Sequence, residues 1–181
     1  GGTLDLVGQL RLEDPAPQAA GFGFDAALTA LRVSFTGPSA EASYDVTRNG
    51  LRSLSGSTAG LQLVTDLQLI RTFSGHADAA VEQQWTVAFT PETPLQINLP
   101  LPSGTLDVSG ALGWTRGTES LTLVITTPVP LHYDAACGET QRIDAGELRA
   151  AGEFDGITGY VRLTWSDCGE EPEVRFVVAV G

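Results

Sequence analysis

Lysine and methionine are absent from the 181 residues, and cysteine and histidine occur twice each. Without lysine, all side-chain positive charge rests on ten arginines, which drift toward GC-rich codons would produce; twenty-two acids outnumber them for a formal net charge of −12. Nucleic acids and anionic membrane surfaces are gripped by basic residues that neutralise phosphates. Neither is an expected partner. Methionine is missing even at position 1, so the chain is expected to be a processed or truncated product. An export signal would have been lost ahead of Gly1, and a lipid anchor there is left open. Long hydrophobic runs are missing too: the most apolar stretch, LTLVITTPVPL at 121–131, is broken by threonines and two prolines. It falls short of the roughly 18 apolar residues a spanning helix needs. A soluble domain is expected.

Helical periodicity is also scarce. Only DAALTAL at 25–31 has apolar spacing that two helical turns would use, and it runs directly into the alternating RVSF. Elsewhere the period is two, as in a strand with one buried face. Leu4, Leu6, Gly8, Leu10 and Leu12 fall in phase, as do Leu31, Val33 and Phe35, and Leu61, Leu63, Leu67 and Leu69. Val81, Trp85, Val87 and Phe89 follow, then Leu106, Val108, Leu112 and Trp114, and Leu121, Leu123 and Ile125. Ile157, Val161, Leu163 and Trp165 precede a last run of Val174, Phe176, Val178 and Val180. The three tryptophans are expected on buried faces.

Turn chemistry punctuates these runs. Asn49-Gly50 and Asp155-Gly156 each read as a type I′ hairpin, which needs positive φ at both central residues. FSGHAD, LPSGT and TRGTE read as further hairpin tips. Parity slips between Ala145 and Leu148, so a bulge is expected at or near Gly146. EDPAPQAAGFGFD at 13–25 reads as a flexible connection, and the four prolines of 90–104 read as a crossover between parts of the architecture. The fold class is all-β: a single antiparallel domain over 1–181 of about 10–12 strands, as a β-sandwich or a sheet curled toward a barrel.

No catalytic signature stands out. There is no C-x-x-C and no cysteine–histidine set at zinc spacing. There is no G-x-S-x-G elbow. Cys168 lies among Asp167, Glu170 and Glu171, which would raise its pKa and suppress a nucleophilic thiolate. Cys137 also follows a strand in a turn-like segment. Two such cysteines in an acidic β-protein are expected to form a disulfide.

His76 is expected at a solvated hairpin tip, and His132 within reach of Tyr133 or Asp134. Glu82, Glu147, Asp107 and Asp144 are candidates for the carboxylate pair of a glycosidase, though each sits on a polar strand face where a solvated carboxylate is ordinary. Asp167, Glu170, Glu171 and Glu173 offer oxygen ligands for calcium but lack a D-x-[DN]-x-[DN]-G loop. No N-glycosylation sequon is present. No catalytic residue, metal ligand or cofactor is assigned.

The segment from LDVSGALGWTRGTESLTLVITTPVPLHYDAAC through IDAGELRAAG to GYVRLTWSDCG resembles the C-terminal part of uncharacterised secreted proteins and lipoproteins of Gram-negative bacteria. In that pattern a threonine-rich strand runs into ITTPL, a first cysteine follows, a glycine-centred hairpin comes next, and a second cysteine follows a short strand. Ile125-Thr126-Thr127-Pro128, Cys137 and Cys168 occupy those places, whereas TWSDCGEE replaces the pattern's usual ending. The resemblance covers about the last 80 residues. It implies export and supports the disulfide, and it implies no activity. The leading expectation is a non-enzymatic periplasmic, outer-membrane-anchored or extracellular β-domain acting by protein binding or assembly, including a filament or surface subunit that pairs through an edge strand. The alternative is a barrel-like carrier of a small apolar ligand; a hydrolase is the third.

Overall fold

The computed structural model describes residues 2–14, 21–39, 43–73, 78–96, 99–137, 142–154 and 156–178. They form β1 (Thr3–Glu13), β2 (Phe22–Thr36), β3 (Tyr44–Ser57), β4 (Gly60–Phe73), β5 (Ala79–Pro91), β6 (Gly104–Arg116), β7 (Glu119–Tyr133), β8 (Ile143–Phe154), β9 (Ile157–Trp165) and β10 (Glu173–Val178). All ten strands are antiparallel and belong to one sheet, in the order β1 to β10. The sheet is not closed: β1 pairs only with β2, and β10 only with β9, among the described residues.

The register explains the alternation. Residues directly opposite in an antiparallel pair share a face, and the row Phe24, Leu54, Leu63, Val87 and Val108 crosses five strands that way. A second row runs through Leu67, Gln83, Leu112, Leu123 and Gly152. One face is therefore largely apolar. The opposite face carries Asp66, Gln84, Gln68 and Glu82, with an amide of each glutamine 3.4 Å from the carboxylate on its partner strand.

The helix-like spacing of Leu28 and Leu31 has a local cause. In β2 the register shifts between these residues, so three steps of β2 face two of β3. The bulge flips strand parity, and both leucines keep to the apolar face. Ala30 holds a positive φ of 45° there, and its N–H donates to Asn49 Oδ1 at 2.7 Å. Asn49-Gly50 is thus no hairpin turn. It lies inside β3, where Gly50 has φ 128° and a Cβ would stand 2.0 Å from the Asp66 carbonyl oxygen.

The turn that joins β3 to β4 is Thr58-Ala59, between Ser57 and its partner Gly60. Gly156 and Gly117 do lie in hairpin connections, with φ 78° and 61°. The expected slip near Gly146 corresponds to a register shift between Val129 and His132 of β7, opposite Glu147 and Ala145. The prolines of 90–104 make no crossover, because β5 and β6 are hydrogen-bonded neighbours. Phe22–Asp25 belong to β2, so the first connection is shorter than 13–25, and residues 15–20 of it lie outside the described residues.

Burial is thin for so long a chain. Val46, Leu67, Phe89, Leu131 and Cys137 are the buried hydrophobic residues among those described, and Thr65, at 1% exposure, is the most enclosed. Trp85, Trp114 and Trp165 lie on the apolar face as their phase predicts but are half-buried, because no second layer covers that face among the described residues. The accessible surface is 11523 Å², against about 8,400 Å² for a folded monomer of this mass.

Candidate interaction surface

The apolar face extends to both open edges. On β1, Leu4, Leu6, Leu10 and Leu12 face the row partners Phe35, Val33, Leu28 and Ala26, and Leu4 is 70% exposed. On β10, Val174 and Phe176 face Leu163 and Val161, and Phe176 is 80% exposed. Edge strands in soluble proteins are usually blunted by proline, by inward-pointing charge or by a covering segment. Neither edge strand has a proline, and no charged residue stands on its apolar side. Among the described residues these edges have unpaired backbone donors and acceptors beside exposed leucine, valine and phenylalanine, which is what a strand adding from another chain requires.

The polar side of the β10 edge is charged in a pattern. Arg149, Arg162 and Arg175 stand directly opposite one another across β8, β9 and β10. Like charges in that position repel. Glu147 pairs with Arg149, Glu173 with Arg175 at 2.6 Å, and Arg149 lies over the Tyr160 ring at 5.0 Å. Arg162, between them, has no ion-pair partner among the described residues, and its buried Nε has no hydrogen-bond acceptor.

At the end of the sheet where the odd-numbered strands finish, the β5–β6 connection turns across the β3–β4 hairpin. The Leu95 N–H donates to the Thr58 carbonyl at 2.8 Å and the Glu92 N–H to Ser103 at 2.9 Å. Phe22, Leu61, Leu95, Leu99 and Leu101 there line a cavity of about 580 Å³, open to solvent. Its apolar walls suit a hydrophobic group.

The same end carries both cysteines and His132. Cys137 and Cys168 meet as a disulfide, with Cα atoms 5.4 Å apart, and so tie the β7–β8 connection to the β9–β10 connection. Asp134 stands near both sulfurs, but sulfurs bonded to each other are not thiolate ligands. His132 meets neither Asp134 nor Tyr133. Its Nδ1 lies 2.6 Å from Asp144 Oδ1 and its Nε2 3.1 Å from Glu92 Oε1. Hydrogen bonds to Asp144 and then Glu92 raise its pKa above the ordinary histidine value.

Ser103 Oγ donates to Asp134 at 3.2 Å and accepts from the Ala135 N–H at 3.0 Å, out of the histidine's hydrogen-bonding set. A general base needs one ring nitrogen facing the nucleophile, and both nitrogens of His132 face carboxylates. Of the four acids considered for catalysis, Asp144 is taken by His132, Asp107 by Thr127, Glu147 by Arg149 and Glu82 by Gln68. Of the calcium candidates, Asp167 accepts from the Cys168 N–H and Glu173 pairs with Arg175. His76 lies outside the described residues. The β2 bulge and the arginine row went unread in sequence. The first is betrayed by two leucines three apart inside an alternating run, and the second needs the register. Comparison with known proteins found no family model, curated protein or solved structure that matches this chain.

Proposed function

We propose that this chain is an exported, non-enzymatic β-domain of the cell envelope or extracellular space, whose sheet curls into an open trough and is completed by a polypeptide strand added at its edges. The observation that carries the reading is the pair of unguarded edge strands, each continuing the apolar face to its last exposed residue. The disulfide fits an oxidising compartment, and the absence of a membrane-spanning helix among the described residues is compatible with export. Each candidate catalytic group engaged by its own neighbour favours binding over turnover.

A carrier of a small apolar ligand is the second reading, favoured by the cavity under Leu95, Leu99 and Leu101. A photo-crosslinking residue in place of Leu6 or of Phe176, in the producing cell, separates the two. Capture of a polypeptide from both positions is expected. Capture of lipid alone, or no adduct from either position, contradicts edge binding.

A further inference from the structure

We infer that the strand completing the sheet is β1 of a second copy of this chain, added antiparallel to β10 so that copies join head to tail. The inference rests on the edge-binding reading above and names its partner. Strand number supplies the first support. With ten antiparallel strands, β1 and β10 run in opposite directions. A second copy placed in the same orientation therefore presents its β1 antiparallel to β10, and the ladder continues without change of type.

Charge supplies the second. The row of Arg149, Arg162 and Arg175 runs to the open edge with only two acids, Glu147 and Glu173, paired to its three arginines among the described residues. The row therefore keeps a net positive charge, and the next position in it favours an acid. β1 carries two candidates on its polar side, Asp5 and Glu13. Setting Glu13 beside Arg175 puts Asp14 opposite Val174, on the apolar row. Setting Asp5 beside Arg175 puts Leu6 opposite Val174 and Leu4 opposite Phe176, apolar with apolar, and Asp5 has no ion pair of its own among the described residues. The Asp5 register satisfies both faces.

Area supplies the third. The chain exposes about 3,000 Å² more than a monomer of its mass, while a stable interface takes about 800 Å² from each partner. Two junctions per copy, one at each edge, fall within that excess. The contact is heterologous, so copies propagate into a ring or a filament.

Sedimentation velocity of the full chain across a concentration series, with four preparations, tests this. The unaltered protein is expected to form species larger than a monomer as concentration rises. Asp5→Arg and Arg175→Glu should each weaken association about three- to tenfold, since each replaces an attraction with a repulsion. An equal mixture of the two variants should restore it, because every junction then joins opposite charges. Phe176→Asp should weaken association about tenfold or more by placing an unpaired charge in the junction. Phe176 is exposed, so thermal unfolding should be unchanged. A monomer at every concentration, indifference to any of the three substitutions, or no restoration on mixing overturns the proposal. A monomer that still yields adducts to a different protein in the cell leaves edge binding standing and removes only the second copy as its partner.

Discussion

At the residue scale, His132 links its charge state to two carboxylates, Asp144 and Glu92. Held between Asp144 and Glu92, it has a folded pKa above its unfolded value near 6.5. Its contribution is therefore fully present below that unfolded value and lost as pH rises through the folded pKa. Thermal unfolding of the chain against its His132→Asn variant should differ most in mildly acidic buffer and converge in alkaline buffer; a constant difference would show that the ion pairs are idle. Asp45 acts with opposite sign. Hydrogen bonds from Ser34 and then Arg32 lower its pKa, so its contribution is present above the unfolded value of 3.8 and lost as pH falls through the folded one.

Glycines give a second residue-scale test. At Gly50 a Cβ would meet backbone 2.0 Å away at φ 128°, whereas at Gly156 nothing lies within 4 Å. Gly50→Ala should cost about 3 kcal/mol or more, and Gly156→Ala, strained only by its positive φ, about 1 kcal/mol. Urea unfolding measures both. Equal effects would mean that the Gly50 backbone is not in this close approach.

At the scale of elements, the strands were legible wherever one side chain in two is leucine, valine or an aromatic. β4, β5, β6 and β9 come close to that, interrupted on the apolar side by Thr65, Gln83, Gly110 and Gly159 respectively, and match their phase. β3 does not: Arg48, Gly50 and Arg52 interrupt its apolar side, facing Leu31, Leu28 and Ala26. With its apolar signal diluted, the Asn49-Gly50 dipeptide looked like the end of a strand. In the sheet, that asparagine serves the β2 bulge from across the ladder, an interaction between positions 19 apart that no local pattern encodes. The proline-rich 90–104 segment misled for a related reason. Proline excludes a central strand but does not say whether the chain returns beside its predecessor or leaves it. The candidate surface was half legible: phase exposed the apolar side of β1 and β10, and only the register revealed three arginines abreast.

The disulfide belongs to this scale because it joins two connections. Its closed loop spans 31 residues, for which chain entropy gives about 3.7 kcal/mol of stabilisation. Replacing both cysteines with serine should lower stability by up to that amount, measured by urea unfolding. Mass analysis of the unreduced protein should find no free thiol; two free thiols would remove the staple and its share of stability.

At the scale of the whole molecule, the sheet has an apolar face that no second layer covers among the described residues. Its apolar side chains are arranged for burial, yet few are buried, and the two ends of the ladder are open. Trp85, Trp114 and Trp165 report on this state, since all three stand half-buried on the apolar face. In dilute protein, iodide should quench their fluorescence to an intermediate extent, and assembly should protect them; full protection at every dilution would indicate a face already covered.

Hydrogen–deuterium exchange resolved by strand, at low and at high protein concentration, measures the open edges most directly. Amides of β4, β5 and β6, paired on both sides, should be protected throughout. The outward-facing amides of β1 and β10, which have no ladder partner among the described residues, should exchange rapidly when dilute and slowly when concentrated. Equal and strong protection of β1 and β10 at all concentrations would mean that the sheet closes on itself, and would contradict an edge that binds.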